Sequence, residues 1–185
     1  MKHVVFLIMT LIALASCSKK GYGLLLKDYE TLEGIKIGMP INDALKILNK
    51  KHHVEKFKIP VMDDEPISYE YVVFDNMTKK ETLFTFNGGH NKKNMDYIFR
   101  IVIKNPKYKT PEGTSVGMNV KELKLKADLK SADFNFQDGL YILSSRFDGG
   151  YWIDLDKTKN YDFNYEKPSL QKIPGDLKVK GIVLF

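Results

Sequence analysis

Gly34-Ile-Lys-Ile-Gly38-Met39-Pro40-Ile41 and, 79 residues later, Gly113-Thr-Ser-Val-Gly117-Met118-Asn119-Val120 share one pattern. Two glycines four apart precede a methionine, and an apolar residue then opens a stripe at helical spacing. In the first copy the stripe is Ile41, Ala44, Leu45 and Leu48. In the second it is Val120, Leu123 and Ala127, with Leu125 and Leu129 beside it. Steps of three, four and seven place one apolar face on a short helix. Asn119 and Glu122 fit an N-cap with its capping-box partner, and Pro40 suits a first helical turn. The glycines suit backbone conformations that a side chain forbids.

Each predicted helix is followed by β-patterned sequence. Residues 67–74 and 81–86 form a hairpin pair in the first copy, with 139–147 and 151–155 as their counterparts. Asp148-Gly149-Gly150 between the latter two reads as a tight turn. A third strand closes each unit, at 96–104 and 177–185; Ile98 and Val179 within them lie 81 residues apart. The first copy has the longer helix-to-sheet connection, which contains Pro60-Val-Met-Asp-Asp-Glu-Pro66. The expectation is an α+β fold of two tandem helix-plus-antiparallel-meander repeats, residues 33–110 and 111–185. The helices would pack on one face of the sheet, leaving the other face concave or exposed.

The chain ahead of these repeats reads as an address. Lys2 and His3 precede an uncharged apolar run over residues 4–14. Eleven helical residues span about 17 Å, against a bilayer core of about 30 Å, so the run suits a secretory signal rather than a membrane-spanning helix. Leu14-Ala15-Ser16-Cys17 follows and resembles the lipobox of bacterial lipoproteins. That resemblance implies removal of residues 1–16 and a diacylglycerol on the Cys17 sulfur, with 17–32 as lipid anchor and tether. Each buried acyl CH₂ contributes about 0.8 kcal/mol, so two or three chains hold firmly. Ser18, where an aspartate would suggest inner-membrane retention, points to the outer membrane facing the periplasm.

Composition agrees with an exported globular protein. The chain has 185 residues, 43% hydrophobic and 28% charged, with a single cysteine. That length supports a real core, and one cysteine excludes an intramolecular disulfide. Of 29 basic residues only Arg100 and Arg146 are arginine. Nucleic-acid readers lean on arginine forks, so a lysine-rich surface beside anionic lipid is the better account, and no nucleic-acid partner is expected.

The Gly-apolar-x-apolar-Gly-Met turn running into a helix and a meander resembles a unit of bacterial envelope lipoproteins. It is similar to the small outer-membrane-assembly lipoproteins, which carry one copy, and to the β-lactamase-inhibitor-protein fold, which carries two. Asn105-Pro-Lys-Tyr108-Lys-Thr-Pro-Glu-Gly113 also resembles the inter-repeat segment of two-copy envelope proteins. The resemblance covers residues 33–185 and implies binding of another protein. It transfers no catalytic residue.

Chemistry-bearing motifs are scarce. His52 and His53, after Lys50 and Lys51, suit a helix end, where cations complement the dipole. Adjacent histidines point apart and make no facing metal pair. His90 lies in a glycine- and asparagine-rich loop. Asp154, Asp156, Thr158, Asn160 and Asp162 begin like a calcium loop, but its sixth and twelfth positions are Lys159 and Tyr165 instead of glycine and glutamate. Asp63-Asp64-Glu65 is flanked by prolines and reads as an exposed loop. No serine lies in Gly-x-Ser-x-Gly, and no glycine loop ends in Gly-Lys-Ser/Thr. An enzyme, a metal site and a cofactor are therefore not expected.

Aromatic residues make up 12% of the chain, ten of them tyrosines. Strand alternation puts Tyr69 and Tyr71 on one face, and sends Tyr151 and Trp152 to opposite faces. Tyr69, Tyr71, Tyr141, Tyr151 and Trp152 are the candidate binding residues, since tyrosine and tryptophan are favoured interface anchors. The sequence thus points to a lipid-anchored envelope protein that binds a partner protein without catalysis. A lipoprotein holding a small molecule or glycan on an aromatic-lined sheet face is the alternative.

Overall fold

The structure is a computed structural model that describes residues 29, 31–59, 68–75, 81–89, 93–135, 139–156, 159 and 161–185. Cys17, the signal segment, the acidic loop at 63–65 and His90 lie outside the described residues. The chain runs α1 (Ile41–Leu48), β1 (His53–Ile59), β2 (Ser68–Phe74), β3 (Thr82–Gly88) and β4 (Ile98–Ile103). It continues with α2 (Val120–Lys126), β5 (Leu129–Asn135), β6 (Gly139–Ser144) and β7 (Gly149–Asp154). A 3₁₀ turn (Leu170–Lys172) and β8 (Lys178–Leu184) complete it.

The eight strands of the described residues form one sheet in the order β1-β2-β3-β4-β8-β7-β6-β5, and every neighbouring pair is antiparallel. This corrects the α+β expectation: the fold is β-rich, with two short helices among the described residues. Helices of eight and seven residues are about 12 Å and 10 Å long, whereas seven strand spacings extend roughly 34 Å. Such helices cannot form a layer on this sheet. They bury Ile41, Ala44 and Leu48 in one case and Val120 and Leu123 in the other. Much of the remaining cover comes from irregular segments, through Leu32, Ile35, Tyr108, Phe163 and Ile173.

Among the described residues each half also has four strands instead of three. β1 and β5, absent from the expected plan, are the two edge strands. The glycines at 149 and 150 are likewise not a turn. They begin β7, and the turn lies just before them. A Cβ on Gly149 would stand 2.0 Å from the Val183 carbonyl oxygen, and one on Gly150 would stand 2.4 Å from that of Ile142. These glycines allow close approach of neighbouring backbones.

The quoted motifs do the same work in both halves. Gly38 and Gly117 have φ of 77° and 85°, in the left-handed region that favours glycine. Their N–H groups donate to Ile98 O at 2.7 Å and Val179 O at 2.8 Å. Those residues' own N–H groups donate back to Met39 O and Met118 O, both at 2.8 Å. Ile41 N–H then reaches Asp96 O, and Val120 N–H reaches Leu177 O. The seam between the halves has the same symmetry. Ile101 pairs with Leu184, Val102 with Val183 and Ile103 with Ile182. With the 81-residue offset these pairs are related by an approximate dyad at Val102–Val183.

One face of the sheet carries the continuous core, including Tyr71, Phe84, Phe86, Ile101, Tyr151 and Ile182. The other carries a separate cluster of Val102, Tyr141 and Val183, with Leu143 and Trp152 packed against it.

Candidate functional site

The five candidate aromatics divide between the two faces. Tyr71 and Tyr151 belong to the core. Tyr71 stacks on Phe86 at 4.9 Å, and Tyr151 meets Phe147 edge-on at 5.9 Å. The Tyr151 hydroxyl accepts from Thr114 Oγ1 at 3.1 Å, and Thr114 Oγ1 also lies 2.7 Å from Thr110 Oγ1. Tyr69 shares the Tyr71 side of the sheet at its rim, half-buried beneath the Lys56 ammonium, 3.7 Å from the ring centre. Tyr141 and Trp152 alone of the five meet on the second face. Their rings are nearly parallel, 17° apart, with centroids at 6.4 Å.

Cross-strand register builds this second-face site. In the second half one row runs Asp133, Tyr141, Trp152 and Gly181 across β5, β6, β7 and β8. The indole lies over Gly181, where an added Cβ would stand 3.5 Å from the ring. The corresponding row of the first half runs Phe57, Glu70, Asn87 and Arg100 across β1 to β4. Arg100 reaches across the seam, and its Nη2 donates to the Tyr141 hydroxyl at 2.7 Å. Lys180 stands 4.6 Å from the Trp152 ring centre and 3.6 Å from Asp154 Oδ1. Between the rows lies a hollow of about 210 Å³, lined by Glu70, Asn87, Arg100, Lys104, Val102 and Trp152, with Ile59 at its margin.

The halves therefore match on the core face and, apart from the Val102–Val183 pair, differ in the rows of the second face. Ile98, Ile101 and Ile103 correspond to Val179, Ile182 and Leu184, all apolar and buried. Arg100 corresponds to Gly181, Asn87 to Trp152 and Glu70 to Tyr141. Arg100, Asn87, Glu70 and Lys104 escaped the sequence reading, because a lone polar residue on a strand has no periodic signal until its row is assembled. The long reach of Arg100 was unreadable for the same reason.

The histidines are placed differently from the helix-end expectation. α1 stops at Leu48, His52 is buried in the turn that follows, and His53 opens β1. Glu33 Oε2 lies 3.7 Å from His52 Nε2, and Glu33 Oε1 accepts from the Tyr108 hydroxyl at 3.2 Å. His53 Nε2 lies 3.3 Å from Glu55 Oε1. Asp154 ends β7 and the Asp156 N–H donates to the Tyr161 hydroxyl at 3.0 Å; Thr158 and Asn160 lie outside the described residues. Among the described residues no three His, Cys, Asp or Glu side chains converge as a metal site. No described helix is long and apolar enough to cross a membrane.

The class that fold and site define is a single twice-four-stranded antiparallel sheet with a mixed aromatic and cationic second face. It is similar to the crystal structure of the uncharacterized protein YfeY from Escherichia coli. That match has a TM-score of 0.56 and 12% identity, over 84% of this chain and 95% of the other. At that identity the likeness concerns the fold. No protein-family model and no curated protein matches the sequence.

Proposed function

We propose that this chain is a lipid-anchored cell-envelope protein, held through Cys17 in the outer membrane and facing the periplasm. Its two tandem units, 33–110 and 111–185, bind another envelope protein without catalysis. The lipobox-like Leu14-Ala15-Ser16-Cys17 supports the anchor. The equivalent hydrogen bonds of Gly38 and Gly117 support the duplication.

The observation that carries the binding role is the Arg100–Tyr141–Trp152 arrangement on the second face. This face carries paired aromatic rings on one side of the seam and an arginine on the other. Tryptophan, tyrosine and arginine dominate binding energy at protein interfaces.

Crosslinking followed by affinity recovery from native membranes tests this reading. The wild-type protein is expected to bring down one envelope protein stoichiometrically. Trp152→Ala is expected to weaken that complex by about 2 kcal/mol or more, roughly 30-fold. Cys17→Ala should leave the domain folded and release it to the soluble fraction. Recovery of no partner, with thermal stabilisation by a small molecule or glycan instead, overturns the protein-binding reading. Retention of Cys17→Ala in membranes at high salt overturns the lipid anchor.

A further inference from the structure

We infer that the end of the seam where β4 begins and β8 finishes rests on the lipid surface, with Tyr97, Phe99 and Phe185 at headgroup depth. This rests on the lipid-anchor reading and specifies how the anchor holds the domain. Among the described residues five large apolar side chains are exposed, and these three lie at that one end, 46%, 42% and 38% exposed. The rings of Phe99 and Phe185 are 6.5 Å apart. The described chain also starts here: Tyr29 and Phe185 line one hollow of about 420 Å³, together with Ile37 and Phe147. From Cys17 to Tyr29 is twelve residues, at most about 40 Å of chain, so this is the end that the anchor keeps within reach of the bilayer.

The dyad supplies an internal comparison. The opposite end of the seam carries Lys178, Lys180 and Lys104 where this end carries Tyr97, Phe99 and Phe185. Phe99 and Lys180 are equivalent in detail, since each is passed over where the register shifts. Asn87 pairs with Arg100 and Gly88 with Ile98, just as Trp152 pairs with Gly181 and Ile153 with Val179. One backbone arrangement therefore presents aromatic rings at one end and ammonium groups at the other. Core packing does not require the difference, because all six side chains are exposed. A lysine ammonium is strongly hydrated and stays in water, whereas tyrosine and phenylalanine suit the boundary between acyl chains and headgroups. Lys36 and Asp148 line the same hollow as Tyr29, and their charges hold the contact to headgroup depth. So shallow a contact orients an anchored domain without replacing the anchor, in keeping with the release expected of Cys17→Ala. The seam strands then stand away from the bilayer, and a partner reaches the Arg100–Tyr141–Trp152 face from the side.

Fluorescence quenching in vesicles tests the orientation. Cys17 is the one cysteine, so residues 17–185, which include every described residue, can be coupled through it to a maleimide-headgroup lipid in phosphatidylcholine vesicles. The tether is then set whether or not cells acylate it. Trp152 is the one tryptophan, so Trp152→Phe gives a background in which Phe99→Trp, Phe185→Trp or Lys104→Trp reports on a chosen end. Brominated phosphatidylcholine, which quenches tryptophan at the acyl boundary, is expected to lower the emission of Phe99→Trp and Phe185→Trp about two-fold or more. Lys104→Trp, and Trp152 of the unsubstituted chain, should change by less than about a tenth, with the circular dichroism of the fold retained throughout. Equal quenching at both ends, quenching at position 104 alone, or none at either end overturns the inference. If none is quenched and a photocrosslinker at position 99 captures a protein in native membranes, a protein covers this end instead, which also overturns it. Mass spectrometry of Cys17 from cell membranes separates the two readings. An unacylated Cys17 with the aromatic end quenched sinks the anchor and keeps the docking; an acylated Cys17 with no quenching does the reverse.

Discussion

Tyr29 shows how one side chain ties the start of the described chain to the far half of the sheet. Its ring stacks on Phe147 at 4.9 Å, and Phe147 in turn meets Tyr151. Burial, reinforced by the Glu112 carboxylate, holds the Tyr29 phenol well above its usual range, and burial raises Tyr151 as well. A phenol raised in the folded state contributes its full stability below the unfolded value of about 10 and loses it as pH climbs toward the folded value. Urea stability is therefore expected to fall above about pH 10. Tyr29→Phe should make that fall shallower, which denaturation curves between pH 9 and 11 of both proteins would show. At this scale the sequence was partly legible. Alternation correctly separates Tyr151 from Trp152, because the period of two is a property of the strand itself. Which of them faces the core depends on what covers each face, and that is not encoded within the strand.

Short elements need local devices, and the two helices differ in theirs. Asn119 Oδ1 accepts from the Glu122 N–H at 2.7 Å, the cap that the sequence predicts. Pro40 occupies the corresponding place in α1 with no side-chain cap. Asn119→Ala is expected to cost about 1 kcal/mol, and Asn119→Asp to restore most of it, read by urea denaturation near neutral pH. The strands that escaped the sequence reading, β1 and β5, are edges. β1 mixes Glu55, Lys56 and Lys58 with Val54, Phe57 and Ile59, and Phe57 is 47% exposed. Charges on an edge strand guard against pairing with other chains, and they erase the alternation by which a strand is recognised. Gly149 and Gly150 show the converse: glycine neighbours that read as a turn serve backbone contact within the sheet.

In the whole molecule, both halves contribute to one core, which passes under the seam through Ile101, Ile103, Ile182 and Leu184. A continuous sheet over a shared core should unfold as one unit. Far-ultraviolet circular dichroism and fluorescence of Trp152, which lies in the second half, are expected to give coincident urea transitions. Separate midpoints would show that the halves unfold independently. Ile101→Ala, at the seam and fully buried, should lower both signals together by 2–5 kcal/mol.

The sequence by itself determined the glycine turns, the short helices that follow them, the capping asparagine and most inner strands. Each of these rests on contacts within a few residues or on a fixed periodicity. Only the tertiary structure decided that the helices are too short to cover the sheet, and that β4 and β8 join the halves. It also placed Arg100 beside Tyr141, 41 residues away in sequence. Local sequence sets what a segment prefers to become, whereas a binding face is a row of side chains drawn from separate strands, and only strand pairing brings them together.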